Sequence, residues 1–290
     1  MRCRRSQAAV CRFSLKQIQN PSEEPYRMKH STTNAKKDNS ISTLCIAAAA
    51  WLMLWQLCCV RINKPLLLPS PLQVLKTLLT LAQTGLFWTT VAASLGKILL
   101  AFGLAVLLGC LCASVAAAIP AVRSFLHPPI SIIRATPVAS FTILAWVWIP
   151  SMWLPVFISF LMVLPMIYEN VYKGIRSTDR QLLEMAEVYH LSFWKKLRFL
   201  YFPAVLPYFS SACINGMGFA WKSGIAAEIL SLPKLAIGRQ IHDAKIYVEI
   251  PELFAWTLVV ILLSMLLEKL LLRLMNQVNR RFLLAKGGEK

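Results

Sequence analysis

The stretch EMAEVYHLSFWKKLRFLYFPAVLPYF, residues 184–209, begins with charged sequence in a chain that is otherwise dominated by apolar residues. Of the 290 residues, 57% are hydrophobic and only 15% are charged, and the mean hydropathy is +0.57. Several apolar runs approach the roughly 20 residues that a helix needs to cross a bilayer. The composition therefore predicts an all-α membrane protein in which this stretch starts outside the bilayer and re-enters it near Pro203.

The apolar runs predict about six membrane-spanning helices. They cover about 41–60, 91–118, 130–148, 153–168, a run beginning near Pro203, and 253–272. Between the first two, Leu72, Leu75 and Leu79 recur at helical spacing and indicate a short amphipathic helix that lies along the membrane surface and reaches Leu86.

Three parts of the chain are distinguished by composition. Residues 1–40 are predicted to be a basic, disordered N-terminus, because they are polar and show no apolar period. Residues 41–275 form the membrane domain, and 276–290 form a basic cytoplasmic tail. Met28 is a second plausible start, so residues 1–27 are either an upstream extension of the gene or part of the product.

The distribution of basic residues predicts the orientation in the membrane. Segments 1–41, 171–203 and 269–290 hold most of the 31 Lys and Arg residues. Cytoplasmic loops are enriched in these residues, so both termini and the charged interruption are expected in the cytoplasm. The same rule accounts for the net charge of +18. Since the charges lie between apolar spans and form no nucleic-acid-reading motif, no nucleic-acid partner is expected.

The charged interruption is interpreted as a pair of short helices. The first has an apolar face, and its charged residues, among them Arg180, point away from that face. The members of the face are Leu182, Leu183, Ala186 and Tyr189. The second helix begins at Ser192, a residue type that favours the N-cap, and Pro203 closes the unit. Such a pair either rests on lipid headgroups or forms a rigid knob that contacts another protein.

The residues of this interruption resemble the EAA loop of ABC importer permeases, whose pattern is E-A-A, three residues, Gly, nine residues, I-x-L-P. The spacing is kept, and Glu184, Ala186 and Pro203 match by type. His190 replaces the Gly of the family, where a positive φ would cost some energy. The resemblance assigns the contact with a cytoplasmic ATPase to Glu184, Met185, Ala186, Glu187, Tyr189, His190, Leu191, Ser192 and Pro203.

Further stretches resemble the nitrate, sulfonate and taurine branch of these permeases over about residues 65–275. They are LPSP at 68–71, SLGKILLAFGLAVLLGCLCA from Ser94, IRATPVASF around Arg134, and WKSGIAAEIL around Lys222. The resemblance implies a type I importer permease in the bacterial inner membrane, which forms the path for a small solute. Its partners would be a second permease copy, a cytoplasmic ATPase dimer, an extracytoplasmic solute-binding protein and membrane lipid.

The chain contains no ATPase motif of its own, and no cofactor is expected. No G-x-x-x-x-G-K-[ST] occurs, and Gly96-Lys97 is followed by Ile98 inside an apolar span. The eight cysteines and four histidines do not show zinc-ligand spacing, so neither a metal nor a disulfide is indicated. Two other functions remain open at this point: an ion-driven secondary transporter and a membrane-anchored assembly protein.

Three charged residues within the spans are candidates for lining the translocation path: Arg134, Lys222 and Glu228. A charge inside a membrane is costly and calls for a functional explanation. The alternative is that Arg134 and Lys222 snorkel to opposite interfaces. Lys222 and Glu228 are six residues apart and would not share a face of an unbroken helix, so any pairing would need a break near Gly224 or a neighbouring helix. Gly216 and Gly218 are expected to permit close helix packing.

Overall fold

The structure is a computed structural model that describes residues 40–62 and 67–287. All regular structure within these residues is helical, which confirms the predicted fold class. Of the predicted N-terminal segment, residues 1–39 lie outside the described part. Helix α1, Ser40–Ile62, contains the first apolar run. The chain divides into two units between Trp51 and Leu52, within α1, and all tertiary contacts discussed below lie in the second unit.

The predicted amphipathic helix is present as α2, Pro71–Ala82. Ser70 forms a capping box with Gln73, because each side chain accepts a hydrogen bond from the backbone N–H of the other residue. The helix ends at Ala82 and does not reach Leu86, which belongs to the next helix. That helix, α3, spans Gly85–Ala118 and is capped by Thr84.

The third predicted span, 130–148, is wrong as a single helix. Helix α4, Pro120–Ala135, begins in the stretch predicted to be a loop, and α5, Val138–Trp146, follows it at a bend of 105°. The bend lies at Thr136 and Pro137. Pro137 has no N–H to donate, and Thr136 before it has an extended conformation, with φ −81° and ψ 128°.

The centre of the bundle is α6, Leu154–Arg176, which packs against both α3 and α9, Phe202–Ser231. Small residues allow these close approaches. A Cβ at Gly109 of α3 would lie 2.9 Å from Ile167, and one at Gly224 of α9 would lie 2.5 Å from Ser159 Oγ. Any larger residue would separate the helices.

Two helices complete the bundle. Helix α10, Ile237–Ile246, follows α9 after a short turn, and α11, Ile250–Gly287, is the last helix. Helix α11 packs against α2, α9 and α10. It continues through most of the segment predicted as a tail, so residues 276–287 are helical.

Four described helices are long and apolar enough to cross a membrane, and the bent pair α4 and α5 would make five. The four are Gly85–Ala118, Leu154–Arg176, Phe193–Ser231 and Ile250–Arg280. The predicted count of six also includes α1, whose apolar part with described side chains, Ile46–Ile62, is shorter than these four.

Candidate coupling segment and translocation path

Residues 180–203, here called the coupling segment, begin with α7, Arg180–Val188. Asp179 caps this helix through its side chain. Of the predicted apolar face, Ala186 is buried, whereas Leu182 and Tyr189 are exposed. The helix therefore leaves half of its apolar face, Leu182 and Tyr189, exposed instead of burying it against the bundle.

His190 forms the turn after α7 in a left-handed conformation, with φ 47°. The N–H of Leu191 donates to the carbonyl of Ala186 at 3.0 Å, and the N–H of His190 donates to the carbonyl of Glu187 at 3.0 Å. These two bonds constitute a Schellman motif, which normally places Gly at the left-handed position. A positive φ at His190 is expected from the sequence, and the structure confirms it. His190 adopts this conformation at a cost of about 1 kcal/mol.

The second half of the coupling segment runs directly into α9. Ser192 occupies the N-cap of α8, Phe193–Lys196, although its side chain makes no capping hydrogen bond. Residues Leu197–Tyr201 then form a π-helix, in which the N–H of Phe202 donates to the carbonyl of Leu197. Pro203 explains the widened turn, since it has no N–H and its ring would clash with the carbonyl four residues earlier.

The prediction that Pro203 closes a separate unit is therefore wrong. Helical structure continues from Phe193 to Ser231, so the second half of the coupling segment and a long apolar helix form one continuous element. The exposed tip of the coupling segment consists of Val188, at the end of α7, and Phe193 and Trp194, at the start of α8. These side chains expose between 70% and 76% of their surface. The rings of Phe193 and Trp194 meet edge to face with centroids 6.1 Å apart. An exposed apolar tip is thereby attached directly to a long apolar helix.

Below the coupling segment lies an apolar cavity of about 500 Å³. Ser114 and Ala117 of α3 form one wall, and Leu197 and Tyr201 of the π-helix form another. The coupling segment is therefore incompletely packed against the bundle at this end of α9.

Helix α9 carries an exposed stripe with polar residues along most of its length. The members are Tyr208, Ser211, Asn215, Phe219, Lys222 and Ala226, at the three- and four-residue spacing of one helix face. The opposite face, including Cys213, Ala220 and Trp221, is buried in the bundle. Sequence reasoning identified Lys222 but missed Asn215, although the spacing of Ser211, Asn215 and Lys222 in the printed sequence indicates it.

Arg134 and Glu169 form an ion pair between the bend of α4 and α6. The Arg134 side chain is 58% exposed and that of Glu169 is 29% exposed. Sequence reasoning missed Glu169, because the two residues come together only through the bend at Pro137. Arg134 is therefore neither a lone intramembrane charge nor buried.

Glu228 is completely buried, in contrast to Lys222. The two residues lie on different faces of α9, as the spacing predicts. Glu228 instead approaches Lys97 of α3, with Nζ and Oε1 4.0 Å apart. Its position does not face the exposed stripe. The structure also confirms that Gly216 and Gly218 lie at close contacts, with Val163 of α6 and Glu268 of α11 respectively.

No cluster of three metal-ligating side chains occurs within the part of the chain that the structure describes. What the arrangement offers is a helical bundle with a polar stripe at one face of a span and an exposed knob at its end.

Residues 105–284 match the family of binding-protein-dependent transport system inner membrane components. The chain belongs to this family. It is thus the permease subunit of an ABC importer, and in this family the ATPase activity resides in a separate subunit. The secondary-transporter and assembly-protein alternatives are set aside.

Individual relatives agree with the branch predicted from the sequence. The permease is 27% identical over 235 residues to the taurine transport system permease protein TauC of Escherichia coli K12, covering 79% of this chain and 84% of TauC. It is 25% identical over 193 residues to the putative aliphatic sulfonates transport permease protein SsuC of Bacillus subtilis, covering 65% and 68%.

Solved structures agree in fold. The permease matches a chain of a bacterial ABC transporter involved in the import of alginate, with a TM-score of 0.52 and 16% sequence identity, covering 84% of this chain and 98% of that one. It also matches a chain of an amino acid ABC transporter with a TM-score of 0.51 and 17% identity, covering 67% and 94%. The type I importer permease fold is therefore shown.

Proposed function

We propose that the permease couples to its ATPase through the coupling segment and carries a small sulfonate-, nitrate- or taurine-like solute along the exposed stripe of α9. The observation that carries the proposal is the continuity of the helix from Phe193 to Ser231. A force applied to the exposed tip at one end of this element acts directly on the residues that line the stripe. Nucleotide-driven movement of the ATPases would then bias the spans between two states.

The character of the tip supports a protein partner instead of a lipid contact. The Schellman motif at His190 fixes the angle between the two helices, and a rigid angle favours a complementary cleft. Val188, Tyr189 and Trp194 supply exposed apolar and aromatic area, which is typical of the anchors in protein interfaces. Glu184 and Arg180 pair with each other at 3.1 Å beside this surface and belong to its rim.

The stripe supports the proposed path because polar residues are unfavourable on a lipid-facing side of a span. Ser211, Asn215 and Lys222 would be best satisfied by a hydrated channel. The ammonium of Lys222 would favour an anionic solute, and Arg134 could add to this field where it leaves its pair with Glu169. The names of the relatives, which include taurine and aliphatic sulfonate systems, are consistent with this class.

A second copy of the permease would complete the path. One bundle presents the stripe on a single face, so a channel needs another wall, and a two-fold partner would supply the same polar face. In the proposed complex both termini and the coupling segment lie in the cytoplasm, an extracytoplasmic binding protein delivers the solute at the other side, and lipid covers the remaining apolar surface.

The coupling proposal is tested by co-purification of the permease with the ATPase subunit of its transport system. Trp194→Ala removes an exposed ring at the tip, and the matched control is Trp148→Ala, because Trp148 is 73% exposed at the α5–α6 turn. We expect Trp194→Ala to weaken binding about tenfold or more, as for an interface anchor, and the control to bind normally. Equal binding by both variants would overturn the assignment of the coupling segment.

The path proposal is tested by uptake of radiolabelled taurine into vesicles that contain the assembled importer. Lys222→Met removes the charge from the stripe, and Lys269→Met is the control, since Lys269 is also exposed but lies on α11. We expect uptake to fall with Lys222→Met alone while ATPase binding persists. Where the wild-type importer transports taurine, unchanged uptake by the Lys222→Met variant would remove Lys222 from the path.

A further inference from the structure

The end of α9 opposite the coupling segment is held by a buried polar network. Glu228, which is 0% exposed, accepts hydrogen bonds at Oε2 from the hydroxyl of Ser94 at 2.9 Å and from the N–H of Gly238 at 3.2 Å. These three residues belong to α9, α3 and α10. One carboxylate therefore joins three helices.

The network serves as the missing cap of α10. The N-cap residue of this helix, Ala236, has no side chain that could accept a hydrogen bond. The first free N–H, from Ile237, instead donates to Ser94 Oγ at 2.9 Å, and the next, from Gly238, donates to Glu228. A carboxylate at this position also interacts favourably with the positive end of the helix dipole.

Lys97 completes the network from α3. Its ammonium donates to the carbonyl of Leu235 at 2.9 Å and lies 4.0 Å from Glu228 Oε1. Oε1 is buried and has no hydrogen-bond partner, so Lys97 supplies its compensating charge. The residues that tie α10 and its preceding turn to α3 are thus Ser94, Lys97, Glu228 and the N-terminus of α10, here called the α10 lock.

The backbone of α10 at the lock leaves no room for a side chain at Gly238. A Cβ on Gly238 would lie 2.4 Å from the Cβ of Glu228 and 2.5 Å from the backbone nitrogen of Ile229. The backbone of α10 therefore lies directly against α9 at Gly238. The bond from the Gly238 N–H to Glu228 depends on this close approach, so moving α10 away from α9 and α3 gives up the contacts with Glu228 and Ser94.

We propose that Glu228 is a positioning residue of the transport cycle. Glu228 holds α10 on α3 and so keeps the end of the bundle opposite the coupling segment closed until the cycle breaks the α10 lock. This inference rests on the proposed function, since it requires an importer whose two ends open alternately. Weakening the lock lowers the cost of opening that end. ATP hydrolysis then becomes less dependent on the solute-binding protein.

The test uses the full permease–ATPase complex with Glu228→Gln and Ser94→Ala. Glu228→Gln keeps the shape and removes the charge, and Ser94→Ala removes only the relay hydroxyl. The matched control is Glu252→Gln, because Glu252 begins α11 near the same end and accepts a hydrogen bond from Trp256 outside the lock. Amide hydrogen exchange of residues 237–246 and ATPase activity without binding protein are measured for each.

We expect exchange at 237–246 to rise about tenfold in both lock variants, as the loss of a charge-assisted hydrogen bond implies, with basal ATPase activity several-fold higher. Glu252→Gln should change neither. Unchanged exchange in the lock variants would overturn the proposal, and so would faster exchange with unchanged basal ATPase activity, which indicates a purely structural cap. If the Glu228→Gln variant fails to assemble, exchange at 237–246 and basal ATPase activity of the Ser94→Ala variant test the proposal alone.

A failure of the proposed function is distinguishable from a failure of this inference. If the wild-type permease binds no ATPase, the coupling proposal is contradicted. Exchange at 237–246 in the isolated wild-type and Ser94→Ala permeases then still reports whether the lock holds α10, and similar exchange in the two would count against the lock itself.

Discussion

The two ends of α9 are held in opposite ways. At the coupling end, Pro203 and Pro207 are exposed, a π-helix replaces the regular turn, and an apolar cavity of about 500 Å³ separates the segment from α3. At the far end, Trp221 is 1% exposed and its indole N–H donates to the carbonyl of Val260 at 3.0 Å. Glu228 anchors the last turns through the α10 lock.

The difference in packing predicts which end opens at the lower free energy. Loosely packed elements with few buried contacts open at lower free energy than tightly packed ones. The coupling end can therefore follow a partner, whereas the far end responds only when its buried contacts are exchanged together. One continuous helical element, Phe193–Ser231, joins the two ends, which is consistent with the proposed transmission of movement from the coupling segment to the opposite end.

The largest effect is expected for Gly238→Ala at the tightly held end. The added Cβ would lie against backbone atoms of Glu228 and Ile229 that cannot move aside. We expect a loss of several kcal/mol or failure to assemble, at or beyond the 1–3 kcal/mol usual for overpacking. Thermal unfolding of the purified permease measures this effect. Gly103→Ala is the control, since nothing lies within 4 Å of its Cβ position, and a similar loss there would contradict the explanation.

A second prediction compares two alanines one turn apart on α3. Ala113 is 0% exposed in the core, whereas Ala117 lines the cavity below the coupling segment. Ala113→Leu should lower stability by about 1–3 kcal/mol through overpacking. Ala117→Leu has space and should be neutral or stabilising. Chemical or thermal unfolding of both variants tests the claim, and equal losses would show that the coupling end is as tightly packed as the core.

A smaller effect is expected from backbone strain at the two ends. Val248, after α10, has φ 59°, and His190 in the coupling segment has φ 47°. A β-branched residue tolerates this region poorly, whereas His is among the residues enriched there. Val248→Gly should therefore raise the midpoint of thermal unfolding more than His190→Gly does. Each substitution should raise the free energy of unfolding by no more than about 1 kcal/mol. The reverse order would contradict the strain argument.

The smallest effect is expected for the exposed pair of Arg180 and Glu184. Both side chains are largely in solvent, and such pairs four residues apart on a helix contribute about 0.3–0.5 kcal/mol at most. Glu184→Ala should leave the unfolding midpoint of the isolated permease almost unchanged. A large loss would mean that α7 depends on this pair for its position and not on the burial of Ala186.

The sequence predicts the bundle well where the signal is local. Apolar runs place α3, α6, α9 and α11, and helical spacing with Ser70 places α2. The spacing of the EAA-like residues also identifies the turn at His190. These features depend on neighbours within one or two helical turns, which composition and period report directly.

The sequence could not predict features that depend on how helices come together. The pair of Arg134 with Glu169 requires the bend at Pro137. The need for a residue without a side chain at Gly238 becomes visible only once α9 lies against α10. The sequence makes Glu228 a candidate path residue, because a charge within a span is costly and calls for a functional explanation. Its burial follows from the Ser94 hydroxyl, the Lys97 ammonium and the α10 backbone, which come from distant parts of the chain.

Amide hydrogen exchange of the full-length permease, alone and with its ATPase bound in the absence of nucleotide, tests the central claim most directly. The account predicts that the ATPase slows exchange about tenfold or more at residues 187–192, which form the turn at the exposed tip, and leaves residues 237–246 in the α10 lock unchanged. Bound ATPase without protection at 187–192 would contradict the account, because the motor would then act on the permease somewhere other than the coupling segment.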